Sequence, residues 1–96
     1  MGKYIVTPEA EEDLLDIALY IARDNIDAAI SHNRRFYEIF QMLADNSATG
    51  RERPEIEAGL RSFPEANYHI FYRVWAGKVA ISRVIHAARD LDEIVG

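Results

Sequence analysis

The sequence predicts one α+β domain: an N-terminal strand and an antiparallel helical hairpin packed on an antiparallel sheet, with a short C-terminal helix. Three observations carry this. Residues 8–45 place apolar side chains at helical spacing and break once, at a short polar connection. Residues 60–86 hold three β-prone runs separated by turn residues. A chain of 96 residues, 49% apolar and 28% charged, fits a single globular unit.

Each element follows from its residues. Lys3–Val6 reads as a strand. Thr7 can cap the free N–H groups of a helix, Pro8 suits its first position, and Glu9, Glu11, Glu12 and Asp13 suit the positive end of its dipole. Ala10, Leu14, Ile17, Ala18 and Ile21 then form its apolar face, and the helix ends near Asp24-Asn25. Asp27 is the expected cap of the second helix, whose apolar positions are Ala29, Ile30, Phe36, Tyr37, Phe40 and Leu43. A connection of two or three residues forces the pair antiparallel. Residues 46–59, with Gly50, Pro54 and Gly59, read as a long irregular connection.

Strands are expected at 60–63, 68–75 and 78–86, with turns at 64–67 and 76–77, which makes an antiparallel meander. Asp90 caps the terminal helix that holds Leu91, Ile94 and Val95. In the middle strand, Tyr68, Ile70, Tyr72 and Val74 share one face; His69, Phe71, Arg73 and Trp75 share the other. The last strand alternates without a uniformly apolar side, so its pattern assigns no core face. Both faces are apolar for a sheet half open to water. A cover is therefore expected: the chain's own terminus, a second copy or another protein.

Charge and composition narrow the function. The net charge of -5 argues against broad binding to nucleic acid, which rests on many phosphate contacts. The charge is uneven: residues 1–60 carry 6 Lys/Arg against 12 Asp/Glu, and residues 61–96 carry 5 against 4. No cysteine is present, which excludes disulfides and thiolate metal sites. No apolar run approaches the ~18 residues of a membrane span, and the N-terminus lacks a signal-peptide core, so a cytoplasmic protein is expected.

No metal site or cofactor is expected, because His32, His69 and His86 stand apart from one another and from carboxylates at ligand spacing. There is no glycine-rich phosphate loop and no setting for a serine nucleophile. Glu9, Glu12, Asp13 and Asp16 resemble a pair of catalytic acids, but their density at a helix start is explained by the dipole and by solubility. The chemical candidates are Arg61, Arg73, Lys78, Arg83, His86 and Arg89. For RNA cleavage, His86 would move protons while Arg61 and Arg83 held the phosphate. Alternatively, the arginines pair with carboxylates of this chain or of a partner, and His86 is a strand-end residue bonding the backbone. The residues alone leave both open.

The order and spacing of several motifs resemble the ParE/RelE superfamily of toxins from type II toxin–antitoxin systems, and within it the ParE branch. The motifs are Tyr4-x-x-Thr7-Pro8-x-Ala10-x-x-Asp13-Leu14-x-Asp16-Ile17-x-x-Tyr20-Ile21, Leu43-Ala44-Asp45-Asn46-x-x-x-Gly50-Arg51, Gly59-Leu60-Arg61-x-Phe63-Pro64, Tyr68-x-Ile70-Phe71-Tyr72-Arg73 and Arg83-Val84-Ile85-His86-x-x-Arg89-Asp90. The resemblance covers nearly the whole chain and implies the RelE-like fold. It also implies one of two activities. One is poisoning of DNA gyrase, at its DNA-cleaving subunit and without a catalytic site in the toxin; the other is ribosome-dependent cleavage of mRNA. The acidic balance favours the first. So does the lack of a tyrosine after His86, where RelE-like members usually place one. Either activity implies a hetero-oligomer with a cognate antitoxin, ParD-like for the ParE branch, with no direct contact to DNA and no membrane. The expected antitoxin contacts are the exposed flanks of residues 8–45 together with Arg73 and Trp75. The gyrase candidates are Arg83, His86 and Arg89; an RNase would instead use Arg61, Arg83 and His86. A member that binds its antitoxin and poisons nothing is a third reading.

Overall fold

Seven elements follow one another in the computed structural model, which describes residues 2–89. They are β1 (Lys3–Val6), α1 (Pro8–Ala22), α2 (Ile26–Asp45), β2 (Arg51–Glu52), β3 (Arg61–Glu65), β4 (Tyr68–Trp75) and β5 (Lys78–His86). The terminal helix expected at Asp90 lies outside the described residues.

The strands form one sheet in the order β1-β5-β4-β3-β2. The β3–β4–β5 meander is antiparallel, as expected, but β1 runs parallel to β5, from Lys3 opposite Lys78 to Val6 opposite Ile81. The sheet expected to be antiparallel is therefore mixed. A tight turn dictates the direction of its two strands, whereas β1 reaches β5 only after the helices and the whole meander. The short β2 lies within the connection expected to be irregular, paired with Ser62 and Arg61. In addition, β3 runs through Pro64 to Glu65, which tightens the expected turn to Ala66-Asn67, with Ala66 at φ 52°.

Thr7 caps α1 as expected, its hydroxyl accepting from the Ala10 N–H at 3.2 Å, with Pro8 opening the helix. The cap of α2 is Asn25 rather than Asp27. Asn25 is extended, and its Oδ1 accepts from the Ala28 N–H at 2.9 Å, which leaves Asp27 in the first turn. Buried α2 residues are Ala29, Phe36, Ile39, Phe40 and Leu43. Ile30, expected inside, faces outward, and Ile39 takes an inner position instead.

The main core lies between the hairpin and the sheet: Ala10 and Leu14 from α1, the α2 aromatics, Ile70 and Tyr72 from β4, and Val79, Ile81 and Val84 from β5. Edge-on aromatic pairs tie the layers, including Tyr4–Phe40 at 5.8 Å and Phe36–Tyr68 at 5.7 Å.

A β-bulge explains why β5 shows no clean alternation. Phe71 lies opposite Arg83 while Tyr72 lies opposite Ile81, so Ser82 is an extra residue. Before it, odd positions (Val79, Ile81) enter the main core; after it, Val84 does, and Ile85 joins a second cluster with Leu60 and Phe71. Ile56 packs on that second cluster. The cover on the sheet's second face is thus, in part, the chain's own connection.

Candidate functional site

Arg83 is held within the fold. Its Nε and Nη2 donate to the Asp13 carboxylate at 2.7 and 3.0 Å, and the Val84 N–H donates to the same carboxylate at 3.0 Å. The bond to Asp13 pushes the Arg83 guanidinium above its ordinary value. Asp13 therefore does more than complement the helix dipole: it fixes α1 to the edge of β5 where β1 has ended. Thr7 does the same from the cap of the helix, its hydroxyl donating to the Ser82 carbonyl at 3.1 Å.

Arg61 faces a different part of the molecule. Its Nη1 donates to the Gly50 carbonyl at 2.7 Å, and Glu52 lies 3.6 Å from its Nη2. Beside it, the buried Tyr72 hydroxyl donates to the Ser47 carbonyl and accepts from the Gly50 N–H, both at 2.7 Å. Burial pushes the Tyr72 phenol above its ordinary value, and the Gly50 bond and the Arg61 charge offset only part of that. Together the two side chains pin the turn after α2 onto the sheet. Gly50 is required there by close approach, because a Cβ would run into the Tyr72 hydroxyl.

His86 ends β5, exposed, its ring edge-on to Tyr68 at 5.3 Å and its Nδ1 accepting from the Ala88 N–H at 3.1 Å. This is the strand-end role that competed with a catalytic one. The Nε2 nitrogen then carries the proton of the neutral ring.

The three RNase candidates do not converge. Register places His86 opposite Tyr68 and Glu65, and Arg61 opposite Tyr72. Two strands and four residues separate His86 from Arg61, about 16 Å between Cα atoms. Arg61 lines a groove of about 420 Å³ with Glu52, Pro54, Leu60 and Val74. His86 and Arg89 line a second groove, of about 590 Å³, against Asp16, Ile17, Tyr20 and Tyr68. With Asp13 and Asp16 on the α1 side, Arg89 and His86 on the other and an apolar floor, this groove suits a polypeptide better than a polyphosphate. No three His, Cys, Asp or Glu side chains among the described residues are grouped to hold a metal ion. No helix among them is long and apolar enough to cross a membrane.

The antitoxin candidates fall on two surfaces. On the hairpin, Leu15 and Leu19 of α1 and Ile26 and Ile30 of α2 are each more than half exposed, in i, i+4 pairs flanking the same turn. Sequence reasoning passes over Leu15, Leu19 and Ile26, although their spacing off the core stripe is visible in the sequence. Arg73 and Trp75 lie on the opposite face of the sheet from the helices. Arg73 donates to the Ala58 carbonyl at 3.1 Å and pairs with Glu57 at 2.7 Å, and Trp75 is 72% exposed. An antitoxin touching both surfaces has to pass round a sheet edge.

Comparison with known proteins adds three findings. The family model described as the ParE toxin of type II toxin–antitoxin system, parDE, matches residues 4–91. The chain is 26% identical to Toxin ParE3 of Caulobacter vibrioides over 97 residues, covering 100% of this chain and 97% of that protein. It also resembles a solved structure described as the chromosomal ParDE TA system from P. aeruginosa, with a TM-score of 0.73 at 21% identity, over 90% of this chain and 96% of that one. That last likeness is one of fold.

Proposed function

The chain belongs to the ParE toxin family of type II toxin–antitoxin systems, and from that premise we propose that it inhibits DNA gyrase, at the DNA-cleaving subunit, and is neutralised by a cognate ParD-like antitoxin. The observation that carries the gyrase reading over RNA cleavage is the dispersal of the cationic set. Arg83 is engaged by Asp13, Arg61 is turned to the Gly50 carbonyl, and His86 stands at the rim of another groove. A crowded phosphorane needs acid, base and cations around one atom, and these side chains surround none. The gyrase contact proposed is the groove that His86 and Arg89 line, with Arg83 positioning its α1 wall. The antitoxin contact proposed is the outer ridge of the hairpin, whose paired Leu and Ile side chains match an amphipathic helix reading i, i+4.

The test adds purified protein to a gyrase supercoiling and DNA-cleavage reaction and, in parallel, to a translating extract with a reporter mRNA. Trapped cleaved DNA, weakened in His86→Ala and Arg89→Ala, is the expected result. Ribosome-dependent cuts in the mRNA that vanish in His86→Ala would overturn the reading. Silence in both assays rejects the gyrase target as well.

A further inference from the structure

Residues 53–60 cover one part of the sheet's second face and reach as far as Arg73, while no described residue covers the part toward β1. Strand register defines it. Lys3, Lys78 and Trp75 stand side by side across β1, β5 and β4, and Ile5, Ala80 and Arg73 form the next row. Neighbours across such rows sit about 5 Å apart. Their alternates Tyr4, Val6, Tyr72, Val79 and Ile81 all belong to the helix-side core, so these six share the face away from it. The bulge at Ser82 comes after both rows and does not disturb them.

We infer that this open half-face docks an acidic protein segment carrying an apolar side chain between carboxylates. The charge pattern points to an acidic occupant. The chain is at -5, yet the six positions hold three cations and no carboxylate. Arg73 is paired with Glu57, while Lys3 and Lys78 have no ion-pair partner among the described residues. The apolar content points to a protein occupant: Trp75 at 72% and Ile5 at 49% exposure flank the cations, and an exposed tryptophan beside basic residues is the composition of an interface anchor. Two free lysines on an acidic chain are too few for a nucleic acid, where affinity grows with the number of neutralised phosphates. A second copy is also disfavoured. A two-fold contact of this face with itself would set Lys3, Lys78 and Arg73 against their own equivalents. The surface lies across the sheet from the hairpin ridge, so both can be occupied together. Arg73 and Trp75 are also the sheet residues expected to meet the antitoxin, so the inference deepens that reading by naming the chemistry of the segment; it does not depend on toxicity or on gyrase.

Trp75 is the only tryptophan in the chain, so its fluorescence reads this face directly. The full chain is titrated with a synthetic peptide of alternating Glu and Leu, with a Lys/Leu peptide of the same length, and with a duplex DNA oligonucleotide. Expected is a saturable blue shift with the Glu/Leu peptide alone, weakening as salt rises. Affinity should fall about tenfold or more in the Lys3→Glu/Lys78→Glu variant, as unlike charges become like ones, while its thermal melt is unchanged. A Trp75→Ala chain followed by calorimetry should lose binding similarly. Equal response to the Lys/Leu peptide, tighter binding of DNA, or undiminished affinity in the lysine variant overturns the inference. So does concentration-dependent dimerisation in sedimentation that the lysine variant abolishes, since it would make a second copy the occupant.

Discussion

Tyr72 shows how much a single side chain can organise. It is fully buried, and its hydroxyl bonds backbone groups of Ser47 and Gly50, 25 and 22 residues away. Tyr72→Phe keeps the ring and leaves the Gly50 N–H buried without a partner. The expected loss is about 1–3 kcal/mol, read by urea denaturation with an unchanged slope. No local pattern in the sequence announces this role; alternation assigns Tyr72 to a face and is silent about its hydroxyl. His69 gives a pH prediction. Its Nδ1 is buried without a hydrogen-bond partner, on the second face beside Phe71 at 6.1 Å between ring centroids. Burial pushes its pKa below the ordinary value, and the Arg53 charge adds to this. The unfolded chain therefore binds the proton first. The stabilisation from a neutral His69 is complete above the unfolded value, about 6.5, and is lost as pH falls through the depressed folded value. Melting curves between neutral and mildly acidic pH should show a decline that His69→Gln flattens.

Among the elements, β5 carries the most information that the sequence hid. Its edge is closed in two ways: β1 pairs with its first half, while Thr7 and Asp13 satisfy the Ser82 carbonyl and the Val84 N–H beyond. Asp13→Asn should cost about 2 kcal/mol, because it removes the charge from bonds to Arg83 and to the backbone. A double-mutant cycle checks this: Arg83→Gln should be damaging in the parent and nearly neutral beside Asp13→Asn. The helices were legible because capping and apolar spacing are local. The meander was legible because its turns are. The parallel neighbour of β5, the two-residue β2 and the bulge were not, since each depends on pairing between distant segments. The RNase set separates for a similar reason: Arg61 comes from β3 and lines one groove, His86 ends β5 beside another, and Arg83 is paired with Asp13, a division set by strand pairing rather than by any local motif.

At the scale of the molecule, the sheet separates two exposed surfaces, the apolar ridge of the hairpin and the cationic half-face behind it. Leu19→Glu on the ridge should leave the melting temperature of the isolated chain within about a degree or two, because the side chain is already in water. The same variant should weaken capture of the cognate antitoxin about tenfold or more, as measured by calorimetry. The parent should gain thermal stability when that partner is added, by mass action, and the variant less. The parallel pairing of β1 with β5 also has a consequence in time. Synthesis delivers β1 and both helices first, yet the strand that lies between β1 and β4 follows all the other strands of the sheet. Until residue 86 emerges, Phe36, Phe40 and Leu43 have only part of a sheet to cover them, and β1 has no partner strand. The pairing of β1 and the full cover over the hairpin's aromatic side are therefore completed together, by one late strand that joins the two ends of the fold.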